Sequence, residues 1–210
     1  MARKREPVVP KRRTPRQARA LETLETIFEA TARIIEREGA DALTTNRIAE
    51  RAGIAIGSLY AYFPNKQAIL LAMARREIAR TQSAIRAAIE TADPEADIGR
   101  LATRGLIRGF GGRKAVRRAL LETMMAHGRY AELARPVDEL TRLVLGETGA
   151  RLGGAAGAMN EIQTFVLSRA LAGIIRAATL EESPLVGTQT LEDEVVRLAR
   201  AYVGALARAP

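Results

Sequence analysis

Hydroxyl-bearing and cationic side chains are concentrated in one short stretch of the chain, where their spacing suits contacts with phosphate oxygens. Thr44 and Thr45 stand where a helix would begin, and the free backbone N–H groups of a helix N-terminus favour both capping and phosphate binding. Tyr60 and Tyr62 fall in a chain that has only four Tyr, four Phe and no Trp. A tyrosine at the edge of a small domain can pack its ring on protein and direct its hydroxyl to a phosphate. Together with Lys66, these residues predict a phosphate-binding surface.

Residues 43–63 have the spacing of a helix-turn-helix motif. Ala49 is a small residue of the kind needed where two helices cross closely, and Gly53, four positions later, tolerates the positive φ of a turn. Leu59 follows after six more positions and would hold the second helix against the first. Phe63 shares its face because residues four apart are neighbours on a helix. The sequence therefore predicts a motif core of Ala49, Gly53, Leu59 and Phe63.

The opposite face of the second short helix would be open to a ligand. Ser58, Ala61 and Tyr62 lie on that face, and Gly57 beside them would let a nucleic acid approach closely. The alternative is that the three aromatic residues of this stretch simply form a core. That explanation accounts for the phenylalanine but not for two hydroxyls and a lysine on the other side.

The net charge of +9 is spread unevenly along the 210 residues. Residues 1–19 contain eight Lys and Arg against Glu6 alone, so they supply +7 of the total. This basic, proline-containing arm, residues 1–15, is expected to be disordered in isolation. It would either neutralise phosphates along a nucleic acid or act only as a solubilising terminus.

The composition argues against several classes of protein. The chain has no cysteine, and His127 is its one histidine, so neither a His/Cys metal site nor a cysteine nucleophile is expected. No apolar run approaches the roughly 20 residues that span a bilayer. We therefore expect a cytoplasmic protein that is not an enzyme and carries no metal or cofactor.

The sequence predicts an all-α fold of about nine helices. Ala, Leu, Arg and Glu dominate, and no segment alternates with the period of a strand. A first helix over about 16–38 is followed by short helices near 45–52 and 56–62 and by a long helix from Asn65 to the stop at Asp93-Pro94. Roughly five more helices follow, the last two over about 157–181 and 188–207. Aliphatic and aromatic side chains in the second half are candidates for a ligand pocket, although such a stripe is also typical of a core: Leu101, Ile107, Phe110, Leu120, Met124, Val137, Leu140 and Phe165.

Residues 27–70, IFEATARIIEREGADALTTNRIAERAGIAIGSLYAYFPNKQAIL, resemble the N-terminal domain of TetR/AcrR-family transcriptional regulators. The resemblance implies a three-helix DNA-binding domain over 16–64 and a helical ligand-binding and dimerisation domain over 65–210. The family's phosphate contacts match Thr45, Tyr60, Tyr62 and Lys66. Its variable base contacts match Asn46 or Arg47, Ile56, Gly57, Ser58 and Ala61.

Two positions depart from the family pattern. Position 55, which often holds a capping serine or threonine, is Ala55, and position 56, which is often polar, is Ile56. Base recognition would then rely more on apolar contacts with thymine methyl groups, on Arg47 or on the arm.

The resemblance implies a ligand-responsive repressor that binds a palindromic duplex operator as a homodimer, formed through the last two helices, with an unknown small molecule as effector. The apolar stripes of those helices favour the same dimer, although they would also suit packing within one chain. The competing hypothesis is a helical lipid- or small-molecule-binding protein whose basic arm docks on acidic membranes or partners.

Overall fold

The computed structural model describes residues 15–110, 113–151 and 159–206, and these residues form helices joined by short connections, without strands. This confirms the predicted all-α fold and its number of helices. The predicted basic arm falls almost entirely outside the described residues. The helices are α1 (Pro15–Glu38), α2 (Thr45–Ala52), α3 (Ile56–Tyr62), α4 (Lys66–Glu90), α5 (Ile98–Phe110), α6 (Lys114–Ala126), α7 (Tyr130–Arg151), α8 (Glu161–Leu180) and α9 (Gln189–Leu206).

Side-chain caps and one glycine set the ends of the N-terminal helices. The Thr44 hydroxyl accepts a hydrogen bond from the backbone N–H of Arg47 at 3.3 Å and caps α2. Gly53 ends α2 in the left-handed region, at φ 66°, where a side chain would be strained. The Asn65 side chain accepts from the backbone N–H of Ala68 at 2.9 Å, so α4 starts at the next residue. These local signals explain why α2 and α4 begin, and α2 ends, where the sequence predicts.

One hydrophobic core joins the N-terminal helices to α6. Its buried residues come from α1, α2, α3 and the first half of α4, and α6 adds Val116, Ala119, Leu120 and Met124. Phe28 and Phe63 meet in this core with their ring centroids 5.9 Å apart. Burying one such large apolar side chain stabilises the fold by about 1.5–3 kcal/mol. Helix α6 is therefore part of the support of the helix-turn-helix, although it lies some 50 residues further along the chain.

Two glycines allow α5 to pack closely on α4. A Cβ atom added at Gly105 would lie 2.4 Å from Ile85 Cγ1, and one at Gly109 would lie 2.5 Å from Thr81 Cγ2. Both distances are shorter than any van der Waals contact, so neither position has room for a side chain without rearrangement. Gly109, at the C-terminal end of α5, thus contributes to packing against α4.

Helices α8 and α9 form a cluster of their own, in which Leu167, Leu171 and Val195 are buried. Helix α8 begins at Glu161, later than the predicted 157, because Asn160 and Gln163 form a reciprocal capping box there. Residues 152–158 lie outside the described residues. Within the part of the chain that is described, none of the helices combines the length and the apolar character that a membrane span requires.

Candidate nucleic-acid interface and internal cavity

Helix α3 buries one face and presents the other to solvent. Leu59 is fully buried and Phe63 is 8% exposed, so both anchor the helix from behind, as their spacing predicts. On the opposite side, Gly57, Ser58 and Ala61 are exposed. Tyr62, on the same side, is 39% exposed. The residues predicted to contact bases and phosphates from α3 therefore share one open surface.

The N-terminus of α3 has no side-chain cap. Ala55 occupies the capping position in an extended conformation, and no side chain caps the helix there. Ile56, the next residue, is 39% exposed and presents an aliphatic side chain to solvent. An exposed aliphatic group at this position can contact a thymine methyl but cannot donate a hydrogen bond.

Helices α2 and α3 bring two of the residues predicted to contact phosphate together. The hydroxyls of Thr45 and Tyr60 lie 3.1 Å apart in a hydrogen bond, although the residues are fifteen positions apart in sequence. Tyr60 is 51% exposed. In such a pair one hydroxyl donates to the other, and the remaining proton can be directed to an outside acceptor such as a phosphate oxygen.

The beginning of α2 contains two candidates for base contacts, and they differ in their surroundings. Asn46 is exposed. Arg47 donates to the carbonyl oxygen of Ala42 at 3.1 Å and forms an ion pair with Glu38 at the end of α1. A base contact by Arg47 would require this ion pair to open, whereas one by Asn46 would not.

Lys66 ties the start of α4 to the loop before α2. Its ammonium group donates to the carbonyl oxygen of Leu43 at 2.9 Å, and its side chain is partly buried. An ammonium has three N–H donors, so this bond leaves donors for a phosphate. The site residues on α2, α3 and α4 remain predictions as DNA contacts; their positions in the fold are compatible with that role.

An apolar cavity lies behind the motif, between α4, α5, α6, α7 and α8. Its empty volume, with the mouth included, is about 850 Å³. Four of the residues predicted for a ligand pocket line it: Leu120, Met124, Val137 and Leu140. Leu101 and Ile107 are not among its lining residues, Phe165 is 56% exposed on α8, and the side chain of Phe110 lies outside the described part of the chain.

Sequence reasoning missed Glu38 at the interface and Glu77 and Arg117 at the cavity. Glu77 and Arg117 lie 40 positions apart and are joined at 2.9 Å between Oε2 and Nη2. Charged residues on helices usually face solvent, and nothing in the local pattern of either helix predicts this pair. Among the described residues, no cluster of His, Cys, Asp or Glu side chains is arranged to hold a metal ion.

Comparison with known proteins gives matches to parts of the chain. Residues 27–73 match the model of bacterial regulatory proteins of the tetR family. The transcriptional repressor KstR of Rhodococcus jostii is 39% identical over 57 residues, which are 27% of each protein. KstR of Mycobacterium tuberculosis is 36% identical over 69 residues, which are 32% of this chain and 31% of that protein. The matches thus span about a third or less of these relatives.

Solved structures resemble the fold over most of its length. FadR of Thermus thermophilus, a TetR-family repressor in complex with lauroyl-CoA, aligns with a TM-score of 0.64 at 20% identity and covers 89% of this chain and 98% of that one. FadR of Bacillus subtilis in complex with stearoyl-CoA gives 0.58 at 17% identity, over 88% and 97%. The multidrug binding protein EbrR with ethidium gives 0.57 at 22% identity, over 86% and 98%. At these identities the likeness establishes the fold.

Proposed function

We propose that this chain, which belongs to the TetR family of bacterial regulators through its N-terminal domain, is a transcriptional repressor whose binding to DNA is controlled by a small molecule. The observation that carries the proposal is the open face of α3. A seven-residue helix anchored by a buried leucine presents glycine, serine, alanine and tyrosine to solvent, next to the paired hydroxyls of Thr45 and Tyr60. Such a helix can enter a major groove while the hydroxyls hold the backbone on either side.

The repressor would act as a homodimer on a roughly palindromic operator. The exposed apolar side chains of α8 support a second copy as the partner, because Ile162 is 75% exposed and Phe165 56%. A twofold axis through α8 and α9 would direct the two copies of α3 to successive major grooves. This role would keep the protein in the cytoplasm, where it meets the chromosome.

The effector would bind in the cavity between α4 and α8. Leu120, Met124 and Ala74 line the cavity and also belong to the core that supports the helix-turn-helix. A ligand that pushes on these side chains therefore pushes on the support of the DNA-binding helices. A packed core responds to such a change by switching between arrangements, and the ligand acts only through its different affinity for the two states. The apolar lining favours a hydrophobic small molecule.

Selection of bound fragments from a random duplex library tests the proposal. We expect enrichment of a sequence with twofold symmetry whose half-sites lie about one helical turn or slightly more apart. The selected DNA should bind at least about 1,000-fold more tightly than an unrelated duplex at physiological salt. Anionic vesicles at the same salt concentrations serve as the comparison. Strong binding to vesicles without enrichment of any sequence would instead support the membrane-docking hypothesis.

A further inference from the structure

The cavity behind the helix-turn-helix is apolar but has a charged part. Three charged side chains line it, namely one carboxylate, Glu77, and two guanidinium groups, Arg117 and Arg176. An apolar cavity with guanidinium groups in its lining is suited to a ligand that has both a hydrocarbon portion and an anionic group.

Arg117 is more deeply buried than the carboxylate with which it pairs, Glu77. Its side chain is 21% exposed and that of Glu77 is 29% exposed. Burial lowers the pKa of Arg117, and the opposing effect of Glu77 does not fully restore it. The hydrogen bond to Glu77 uses Nη2 of Arg117, and a guanidinium has five N–H donors, so donors remain for a second anion. A second anion brought to it by a ligand would improve its electrostatic environment.

We propose that the cavity binds a single-chain amphiphile with an anionic head group, and that this head group competes with Glu77 for Arg117. The inference rests on the proposed function, since it assigns a class of effector and a route of response to the same cavity. The ligand's hydrocarbon chain packs among Leu120, Met124 and Val137. Its head group forms the bidentate hydrogen bonds that a guanidinium offers to a carboxylate or a phosphate.

The ion pairs of Glu77 continue from the cavity to the DNA-binding domain. Glu77 Oε1 lies 3.4 Å from Nη1 of Arg80, whose Nη2 lies 3.8 Å from Oε1 of Glu25. Glu25 belongs to α1 and is also paired with Arg76 of α4. A carboxylate released from Arg117 is free to bind Arg80 more closely and so to draw Arg80 away from Glu25. The contact of Arg80 with Glu25, one of the ion pairs between α1 and α4, is thereby made dependent on the occupant of the cavity.

Binding of three ten-carbon probes, measured by titration calorimetry without DNA, tests the class of ligand. Decanoate, decanol and decyltrimethylammonium have the same chain and differ in head-group charge. We expect decanoate to bind once per chain and at least tenfold more tightly than decanol, with the cation weakest. Equal binding of decanoate and decanol would overturn the proposal. Because no DNA is present, this result is independent of whether the protein is a repressor.

Substitutions at Arg117 test the site of the head group. Arg117→Gln should remove the preference for decanoate over decanol, and Arg117→Lys should retain most of it. Arg118→Gln is the matched control, because Arg118 lies next to Arg117 on α6 but is exposed and paired with Glu122 and Glu182. A preference that survives in Arg117→Gln would place the anion elsewhere. If the glutamine variant does not fold, the comparison of probes on the unmodified protein still decides the ligand class.

Arg80→Gln tests the route to the DNA-binding domain. Decanoate should weaken binding of the unmodified protein to its selected DNA by about tenfold, a typical size for coupling between two sites. In Arg80→Gln the weakening should fall below about twofold, while decanoate binding itself is retained. Arg86→Gln, on an exposed position of the same helix, should behave like the unmodified protein. Undiminished coupling in Arg80→Gln would overturn the route and leave the ligand class standing.

Discussion

The hydroxyls of Thr45, Tyr60 and Tyr62 differ in whether a hydrogen bond within the protein fixes their position before they contact a phosphate. The first two are joined at 3.1 Å, so the geometry of that pair is set before DNA arrives and less rotational freedom is lost on binding. Tyr62 stands on the exposed face of α3 and has no part in that pair. Its hydroxyl can therefore be tested alone, without disturbing the pair.

Tyr62→Phe should weaken binding to the selected operator and to an unrelated duplex by the same factor. The change removes one hydrogen bond to a phosphate, which contributes about 1 kcal/mol or about fivefold in affinity, and phosphate contacts carry no sequence information. Fluorescence anisotropy with both duplexes measures the two factors. Tyr202→Phe on α9 removes a hydroxyl far along the chain and should leave both affinities unchanged. A loss confined to the operator would assign Tyr62 to base recognition instead.

At the residue scale, local partners could be predicted from sequence and distant ones could not. Thr44, Gly53 and Asn65 act within a few positions of themselves, and each cap lies where the sequence predicts. Arg47 was a candidate for reading bases, but its partner is Glu38, nine positions away on another helix. That contact depends on the angle between α1 and α2, which no local pattern records.

Two glycines near the turn between α2 and α3 can be compared directly by the same substitution. A Cβ atom would meet nothing within 4 Å at either Gly53 or Gly57, but Gly53 has φ 66° and Gly57 lies within the helix α3. Gly53→Ala should therefore destabilise the protein by about 1–2 kcal/mol through backbone strain. Gly57→Ala should be neutral or stabilising by up to about 1 kcal/mol, because alanine favours a helix.

The same two variants should separate stability from binding. Denaturant unfolding followed by circular dichroism gives the free energies, and anisotropy gives the affinity for DNA. Gly57→Ala places a methyl group on the open face of α3 and should lower DNA affinity in a protein that is fully folded. If Gly57→Ala and the unmodified protein had equal affinities for DNA, the proposed close approach of DNA to position 57 would be refuted.

Helices α1 and α6 are joined by an ion pair that should make their packing sensitive to acid. Arg113 donates to both carboxylate oxygens of Glu29, at 2.8 and 3.0 Å, and Arg33 donates to it from the same helix. These bonds, first that of Arg113 and then that of Arg33, lower the pKa of Glu29 from 4.5 to about 2. The stability that this group contributes is therefore complete above about pH 4.5 and is lost as the pH falls towards 2.

Glu29→Gln should lower the free energy of unfolding at pH 6, and the difference from the unmodified protein should shrink as the pH falls from 4.5 towards 2. Because the Glu29 side chain is 42% exposed, solvent screening keeps the effect small. Urea titrations at a series of pH values measure it. Glu22→Gln, which removes an exposed carboxylate from the same helix, is the control. A difference that stayed constant over this range would argue against the lowered pKa.

At the element scale, helix α4 shows that hydrophobic periodicity alone does not predict which residues of a helix are buried. The spacing of Leu71, Ile78, Ile85 and Ile89 predicts one buried stripe, but Leu71 and Ile78 are only partly buried, while Ile69 and Leu70 are buried. The first half of α4 packs into the core below the helix-turn-helix, and the second half packs against α5 and α7. Because the two halves of α4 pack against different cores, they bury different faces. A single apolar stripe along the helix therefore does not predict which residues are buried.

At the scale of the whole molecule, the two candidate sites adjoin one core. Helix α6 contributes Leu120 and Met124 both to the support of α3 and to the wall of the cavity. This arrangement could not be derived from the sequence, because α6 lies about 50 residues beyond the motif and has no pattern that distinguishes its two contacts. Sequence periodicity likewise does not tell which apolar face of α8 is covered by its own chain and which is left for a partner.

The exposed face of α8 leads to a prediction about assembly. Ile162 is 75% exposed, so Ile162→Glu should leave the fold of the single chain intact while it places a charge in the proposed dimer interface. An unpaired buried charge at an interface costs about 2 kcal/mol or more, which raises the dissociation constant of the dimer at least about 30-fold. Analytical ultracentrifugation at micromolar concentration should show a dimer for the unmodified protein and a shift towards monomer for the variant.

Loss of the dimer should affect binding to a complete operator but not binding to a single half-site. Ile162→Glu should weaken binding to a two-half-site operator but leave binding to a single half-site unchanged, since α3 itself is untouched. Met125→Glu is the matched control, because Met125 is also an exposed apolar residue but lies on α6, away from the proposed interface. If the unmodified protein sedimented as a monomer, or if both glutamate variants dissociated equally, the face of α8 would not be the dimer interface, and symmetric recognition of DNA would need another origin.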